Sequence, residues 1–172
     1  MKKTILVDFG ASRIKSIYPH LKEKFFFENS GSIEFNSDKF HPIFFYEKLK
    51  KHLIFYQKKN IEINEIYISS EMHGFFLINS TNQKFSPYFS WRFKSKKKNN
   101  QRKINYLKKH LFSKTGLKFR DGIPAINFYK EGLSKDGFDL VGGVAESICF
   151  FGGKYQKKIS LSYAHSTGFY NL

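Results

Sequence analysis

The stretch Asp8-Phe9-Gly10-Ala11-Ser12-Arg13-Ile14-Lys15 has residue types and spacing suited to holding an anion. Gly10 lets the main chain come close to a phosphate, consecutive backbone N–H groups and the Ser12 hydroxyl can donate to its oxygens, and Lys15 adds positive charge. Asp8, just before the turn, can hold a hydrated Mg2+ that offsets charge on a transferring phosphoryl group. As a bare pattern Asp-x-Gly also closes ordinary hairpins, and on this segment alone the ordinary turn is the commoner outcome.

The elements that would carry these residues are readable from hydrophobic periodicity. Thr4-Ile-Leu-Val-Asp-Phe-Gly is a short apolar run stopped by glycine, and Arg13 to Tyr18 alternates with period two, so strand, tight turn and strand are expected. Phe25 to Phe27 reads as a third strand, broken by Asn29-Ser-Gly-Ser. Pro42 suits a helix start, and Phe45, Leu49 and Leu53, with Tyr46 and Tyr56, form an apolar stripe ending near Asn60. Glu65 to Ser70 and Phe75 to Ile78 read as strands around a loop at Glu71-Met-His-Gly74, and Asn79-Ser-Thr-Asn as a turn. Lys94 to Lys103 reads as a mobile loop, followed by a helix through Ile104, Leu107 and Leu111 that Thr115-Gly116 ends. Phe138 to Gly153 is read as a further helix despite Gly142 and Gly143, its core ambiguous between helix and strand. The sum is one α/β domain over residues 1–172, a mixed sheet with flanking helices.

Composition bounds the functional classes. The 172 residues are 41% hydrophobic and 19% aromatic, enough for a core. A single cysteine, Cys149, excludes an internal disulfide, and its apolar neighbours suggest a buried thiol in a reducing, cytoplasmic setting. Lys2 and Lys3 precede an apolar run that Asp8 interrupts, which suits neither a secretory signal nor a membrane span. The formal net charge of +16 is uneven: Met72 to Arg120 contains thirteen Lys and Arg and no Asp or Glu. Such a face attracts polyanions, yet lysine runs specify no base or sugar, and a solvated basic surface is the commoner outcome.

Four ordered segments, the hairpin among them, carry a resemblance. The hairpin is similar to the first phosphate motif of the FGGY carbohydrate kinases, Asp-x-Gly-Thr-Ser-x-x-Lys, with Ala11 in place of Thr. Ile68-Ser-Ser-Glu-Met-His-Gly-Phe-Phe-Leu-Ile-Asn79 resembles the Gly-Gln-Met-His-Gly-x-x-Leu-Leu-Asp segment of xylulokinase-like members. Ser86-Pro-Tyr-Phe-Ser-Trp91 resembles Arg-Pro-Ala-Ile-Leu-Trp, and Ala164-His-Ser-Thr-Gly-Phe-Tyr-Asn-Leu172 resembles Ala-Ser-x-Thr-Gly-Leu-Tyr-Asp-Leu. Weaker similarity runs through Lys114-Thr-Gly-Leu and Glu146 to Gly153.

The resemblance implies a ribonuclease H-like, actin-like ATPase fold and an incomplete first lobe. It implies ATP as co-substrate and Mg, held through water by Asp8, with Gly10, Ser12 and Lys15 framing the γ-phosphate. It implies a ketose or polyol faced by Met72, His73 and Trp91, since indole and thioether pack on the C–H face of a sugar while imidazole bonds its hydroxyls. Without it, His73 reads as a loop histidine bonded to backbone and Trp91 as a core aromatic. Two departures bear on the sugar: Arg92, Phe93, Lys94 and Ser95 stand where the family has Asn or Gln, Asp, a variable residue and Arg, and Glu71 stands for Gln. The family's catalytic base and second lobe are expected beyond Leu172, which leaves this chain without a catalytic residue of its own and inactive alone, as a truncated, split or degenerate kinase, the split form taking its second lobe from a separate chain. The alternatives are a non-enzymatic basic module for an acidic protein, phosphosugar or nucleic acid, and a Mg-ATPase built on the hairpin alone. Nucleic acid is the partner least expected, because no base-reading helix or aromatic platform is seen.

Overall fold

Two strands that leave the N-terminus and return after a helix fix the architecture. In the computed structural model, which describes residues 3–10, 14–18, 39–79, 81–110, 116, 118–134, 136–154 and 161–168, β1 (Thr4–Phe9) pairs antiparallel with β2 (Ile14–Ile17) and parallel with β4 (Glu65–Ser70). The register sets Asp8 opposite Lys15 on one side and Ser69 on the other. Alternation then divides the sheet: Ile5, Val7, Phe9, Ile14 and Ser16 are buried, while Leu6 and Tyr67 are 43% and 61% exposed.

Helix α1 (Phe44–Lys58) crosses over between β1–β2 and β4 and covers the buried face. Its inward positions Phe45, Leu49, His52 and Tyr56 recur every three or four residues, as the apolar stripe requires. Phe45 meets Phe9 edge-on at 5.8 Å and Tyr88 at 4.7 Å.

The remaining strands form two small sheets. β3 (Lys39–Phe40) pairs with β7 (Tyr88–Phe89), and β5 (Phe76–Asn79) lies between β6 (Lys84–Phe85) and β8 (Leu140–Gly142). The unbroken apolar run Phe75-Phe-Leu-Ile78 is buried on both faces, Phe76 and Ile78 toward the α1 core and Phe75 and Leu77 toward Phe89 and Phe128. A third cluster joins α2 (Gln101–His110) to α3 (Pro124–Glu131) through Ile104, Phe119, Ile123 and Ile126. Helices α4 (Val144–Phe151) and α5 (Leu161–Thr167) complete the described chain.

Several expectations need correcting. The interval 138–153 is not one helix: β8 precedes α4, because Gly142 packs against Phe76 and Gly143 against the Tyr163 ring, where a Cβ would come within 2.9 and 2.7 Å. Lys94 to Lys103 is not a free loop, since α2 begins at Gln101 and Ser95 is buried, its hydroxyl donating to Glu131 at 2.6 Å. Cys149 sits on α4 but is exposed, one helical step from the inward Ile148. The strand expected at Phe25 to Phe27 lies outside the described residues. No described helix is long and apolar enough to cross a membrane.

Candidate functional site

Parallel pairing brings the ends of β1 and β4 to the same edge of the sheet, and the backbone continues the pairing one residue further: Glu71 N–H donates to the Phe9 carbonyl at 3.1 Å. Gly10 therefore leaves the sheet beside the loop Glu71 to Gly74. In doubly wound α/β folds this carboxyl edge is where ligands bind.

Asp8 and Gly10 are half-buried there and Lys15 is exposed. Leu6, Asp8, Lys15, Tyr67 and Ser69 line a depression of about 430 Å³ on the uncovered face. Ser12 lies outside the described residues. Among the described residues no group of three or more His, Cys, Asp or Glu could enclose a metal. Asp8 suits a magnesium ion held through water by one carboxylate, with a substrate's phosphates supplying the rest.

The Met-His loop is braced from two sides. On one, the Glu71 side chain turns inward: Tyr88 Oη–H donates to Oε1 at 2.6 Å and Ser90 Oγ–H to Oε2 at 3.4 Å, and the Trp91 backbone N–H favours the charged carboxylate. Burial pushes the Glu71 carboxyl above its ordinary value, against the pull of the Tyr88 and Ser90 hydroxyls, the Trp91 N–H and the Arg92 charge. Gly74 is forced by this packing, because a Cβ would lie 1.7 Å from the Tyr88 hydroxyl oxygen.

On the other side, α5 holds the loop's backbone. Tyr163 Oη–H donates to the Gly74 carbonyl at 2.7 Å, and Ser166 Oγ lies 3.1 Å from the Met72 carbonyl. His73 Nδ1 is 3.0 Å from the Ser166 carbonyl, an acceptor, so Nδ1 carries the proton and Nε2 of the neutral ring is left as an acceptor. Met72 and Trp91 are 61% and 44% exposed, so Trp91 is not the core aromatic that its residue type suggested. Phe93, where the family pattern has a carboxylate, is half-buried and packs against the core residue Phe89 at 5.1 Å.

The structure thus brings Asp8, Gly10, Met72 and His73 to one sheet edge and links Trp91 to them through Glu71. Sequence reasoning gave no role to Tyr88, Tyr163 or Ser166; Tyr88 stands in the Ser86 to Trp91 segment, Ser166 in the Ala164 to Leu172 segment, and Tyr163 just before the latter. Solved structures share the fold. The ligand-bound xylulose kinase from Lactobacillus acidophilus aligns over 100% of the chain with a TM-score of 0.74 at 18% identity. The chain is similar in fold to part of that kinase. Gluconate kinase from Lactobacillus acidophilus aligns over 99% with a TM-score of 0.66 at 15% identity. The chain spans 37% of the length of each kinase. No protein-family profile and no curated protein sequence matches it.

Proposed function

We propose that the chain is the N-terminal portion of an ATP-dependent FGGY-type carbohydrate kinase that transfers the γ-phosphoryl group of ATP to a ketose or polyol hydroxyl. One observation carries the reading: the hairpin after β1 and the Met-His loop after β4 leave the same carboxyl edge, joined by the bond from Glu71 N–H to the Phe9 carbonyl. In this reading Gly10, Ser12 and Lys15 cradle the terminal phosphate and Asp8 holds magnesium through water. Bound Mg-ATP would supply the phosphoryl group and offset its charge. Met72 and Trp91 offer exposed apolar surface to the C–H face of the sugar, and His73 Nε2 accepts a bond from a sugar hydroxyl.

Positioning without a base and a closing second lobe does not amount to turnover, so the chain alone is expected to bind and not to phosphorylate. Trp91 is the only tryptophan, and its emission reports this site alone. Titration with xylulose, other ketoses, polyols and gluconate, with and without Mg-ATP, is expected to give a saturable change in emission for at least one sugar, and His73→Ala is expected to weaken it. A flat response across the whole panel removes the carbohydrate-kinase reading.

A further inference from the structure

Loop and tryptophan are separate in the chain: Met72 and His73 follow β4, whereas Trp91 follows β7. What joins them is one half-buried side chain. Glu71 accepts from Tyr88 Oη–H at 2.6 Å and from Ser90 Oγ–H at 3.4 Å, both in the segment that leads into Trp91, whose N–H acts on the same carboxyl, while the Glu71 N–H holds the end of β1. We infer that Glu71 is the positioning residue of the candidate site: its carboxylate sets the spacing between the Met72-His73 loop and Trp91, and with it the fit of a ligand between them.

The chemistry of the donors explains why a carboxylate serves. Three donors converge on Glu71, and a carboxylate has lone pairs for all of them, whereas an amide accepts only through its oxygen and turns two N–H donors toward other donors. Tyr88 stays a neutral donor, because burial holds its phenol well above the usual value and Glu71 adds to the effect. Around this centre stand Arg92 beyond Trp91, His73 in the loop, Tyr163 from α5, and Glu146 of α4, whose charge acts on both tyrosines. Protonating Glu71 turns an acceptor toward three donors into a group with a proton of its own, so the link to Trp91 has to rearrange. Burial raises the carboxyl, which moves that event upward from the ordinary carboxylate range.

The emission of Trp91 reads this link with no ligand present. Lowering the pH of the full chain from about 8 to about 4 is expected to give an emission transition centred above the usual glutamate value. Glu71→Gln should abolish it. Tyr88→Phe should keep it and move it to higher pH, because the anion loses a donor, and this variant decides the matter if Glu71→Gln does not fold. A transition that survives Glu71→Gln belongs to a neighbouring group and overturns the assignment, as does a wild-type chain with no transition or a Tyr88→Phe midpoint that does not move. A second arm rests on the proposed function: with a sugar that shifts Trp91 emission, Glu71→Gln should weaken its affinity roughly tenfold. If no sugar binds, the kinase reading fails while the pH experiment still tests Glu71.

Discussion

At the scale of single residues, buried polar side chains among the described residues are partnered, and the partnership at Ser16 has a pH signature. Ser16 is fully buried beneath α1, with its hydroxyl 3.0 Å from His52 Nδ1 and 3.0 Å from the Tyr56 hydroxyl. Although the pair has the residue types of a nucleophile and its base, no substrate reaches a serine with zero exposure, so the contact is structural. Burial lowers the His52 imidazole below its usual value, and the Lys48 ammonium one turn away adds to it. Between that lowered value and about pH 6.5, the unfolded chain takes up a proton that the folded chain does not, so stability present above about pH 6.5 is lost as pH falls through this window. His52→Asn keeps a polar partner for Ser16 and removes the titration. Denaturant midpoints measured across this range should fall with acid in the wild type and fall less steeply in the variant; equal slopes would mean that His52 is not the group responsible.

At the scale of elements, what could be read from the sequence was what local patterns encode. Helix α1 announced itself through Phe45, Leu49 and Tyr56, because a helix with one wet face shows its period. Strand β4 was legible at its observed bounds, and β5 as a continuous apolar run. Helix α3 was missed although Pro124 opens it and Gly132 closes it in the left-handed conformation: Pro124 through Phe128 are all buried, so no polar face marks the turn of the helix. In the candidate site, the strand-end residues Asp8, Gly10, Met72 and His73 were legible, while the bonds from Tyr88 and Ser166, to residues 17 and 94 positions away, have no local signature. The seven-residue α5 shows what such bonds do, for it is too short to stand alone and earns its place by holding the Met-His loop. Ser166→Ala removes a hydroxyl that the Met72 carbonyl, at 3.1 Å, shares with the Tyr163 carbonyl, at 2.8 Å, a loss of up to about 1 kcal/mol, so amide exchange over residues 71–75 should quicken by up to roughly fivefold. Amides of β1 and β4 should not change. Uniform acceleration across all strands would instead show that α5 supports the whole fold.

At the scale of the molecule, charge and coverage are both lopsided. The acid-free stretch from Met72 to Arg120 is partly neutralised from outside itself: Lys97 lies 3.0 Å from Glu131, which Lys39 also approaches, and Lys108 lies 3.3 Å from Asp121, which Lys130 also approaches. These pairs reduce the basic face as an argument for a polyanion partner, because cations already facing carboxylates add less to a long-range field. Coverage is the second asymmetry. Helices α1 and α4 bury Ile5, Val7 and Phe9, yet Leu6 and Tyr67, paired in register on the opposite face of β1 and β4, remain 43% and 61% exposed. Parallel strands are ordinarily covered on both faces, so this side of the sheet presents apolar surface that a packed α/β layer would hide. The isolated chain should therefore bind an environment-sensitive apolar dye such as anilinonaphthalene sulfonate at this face. Replacing Leu6 and Tyr67 together by Thr, a residue that strands accept, should lower dye fluorescence while leaving the thermal midpoint nearly unchanged, because partly exposed side chains contribute little burial. Dye binding that ignores the double substitution would place the accessible apolar surface elsewhere, and a midpoint that collapses would mean that Leu6 and Tyr67 are buried in solution.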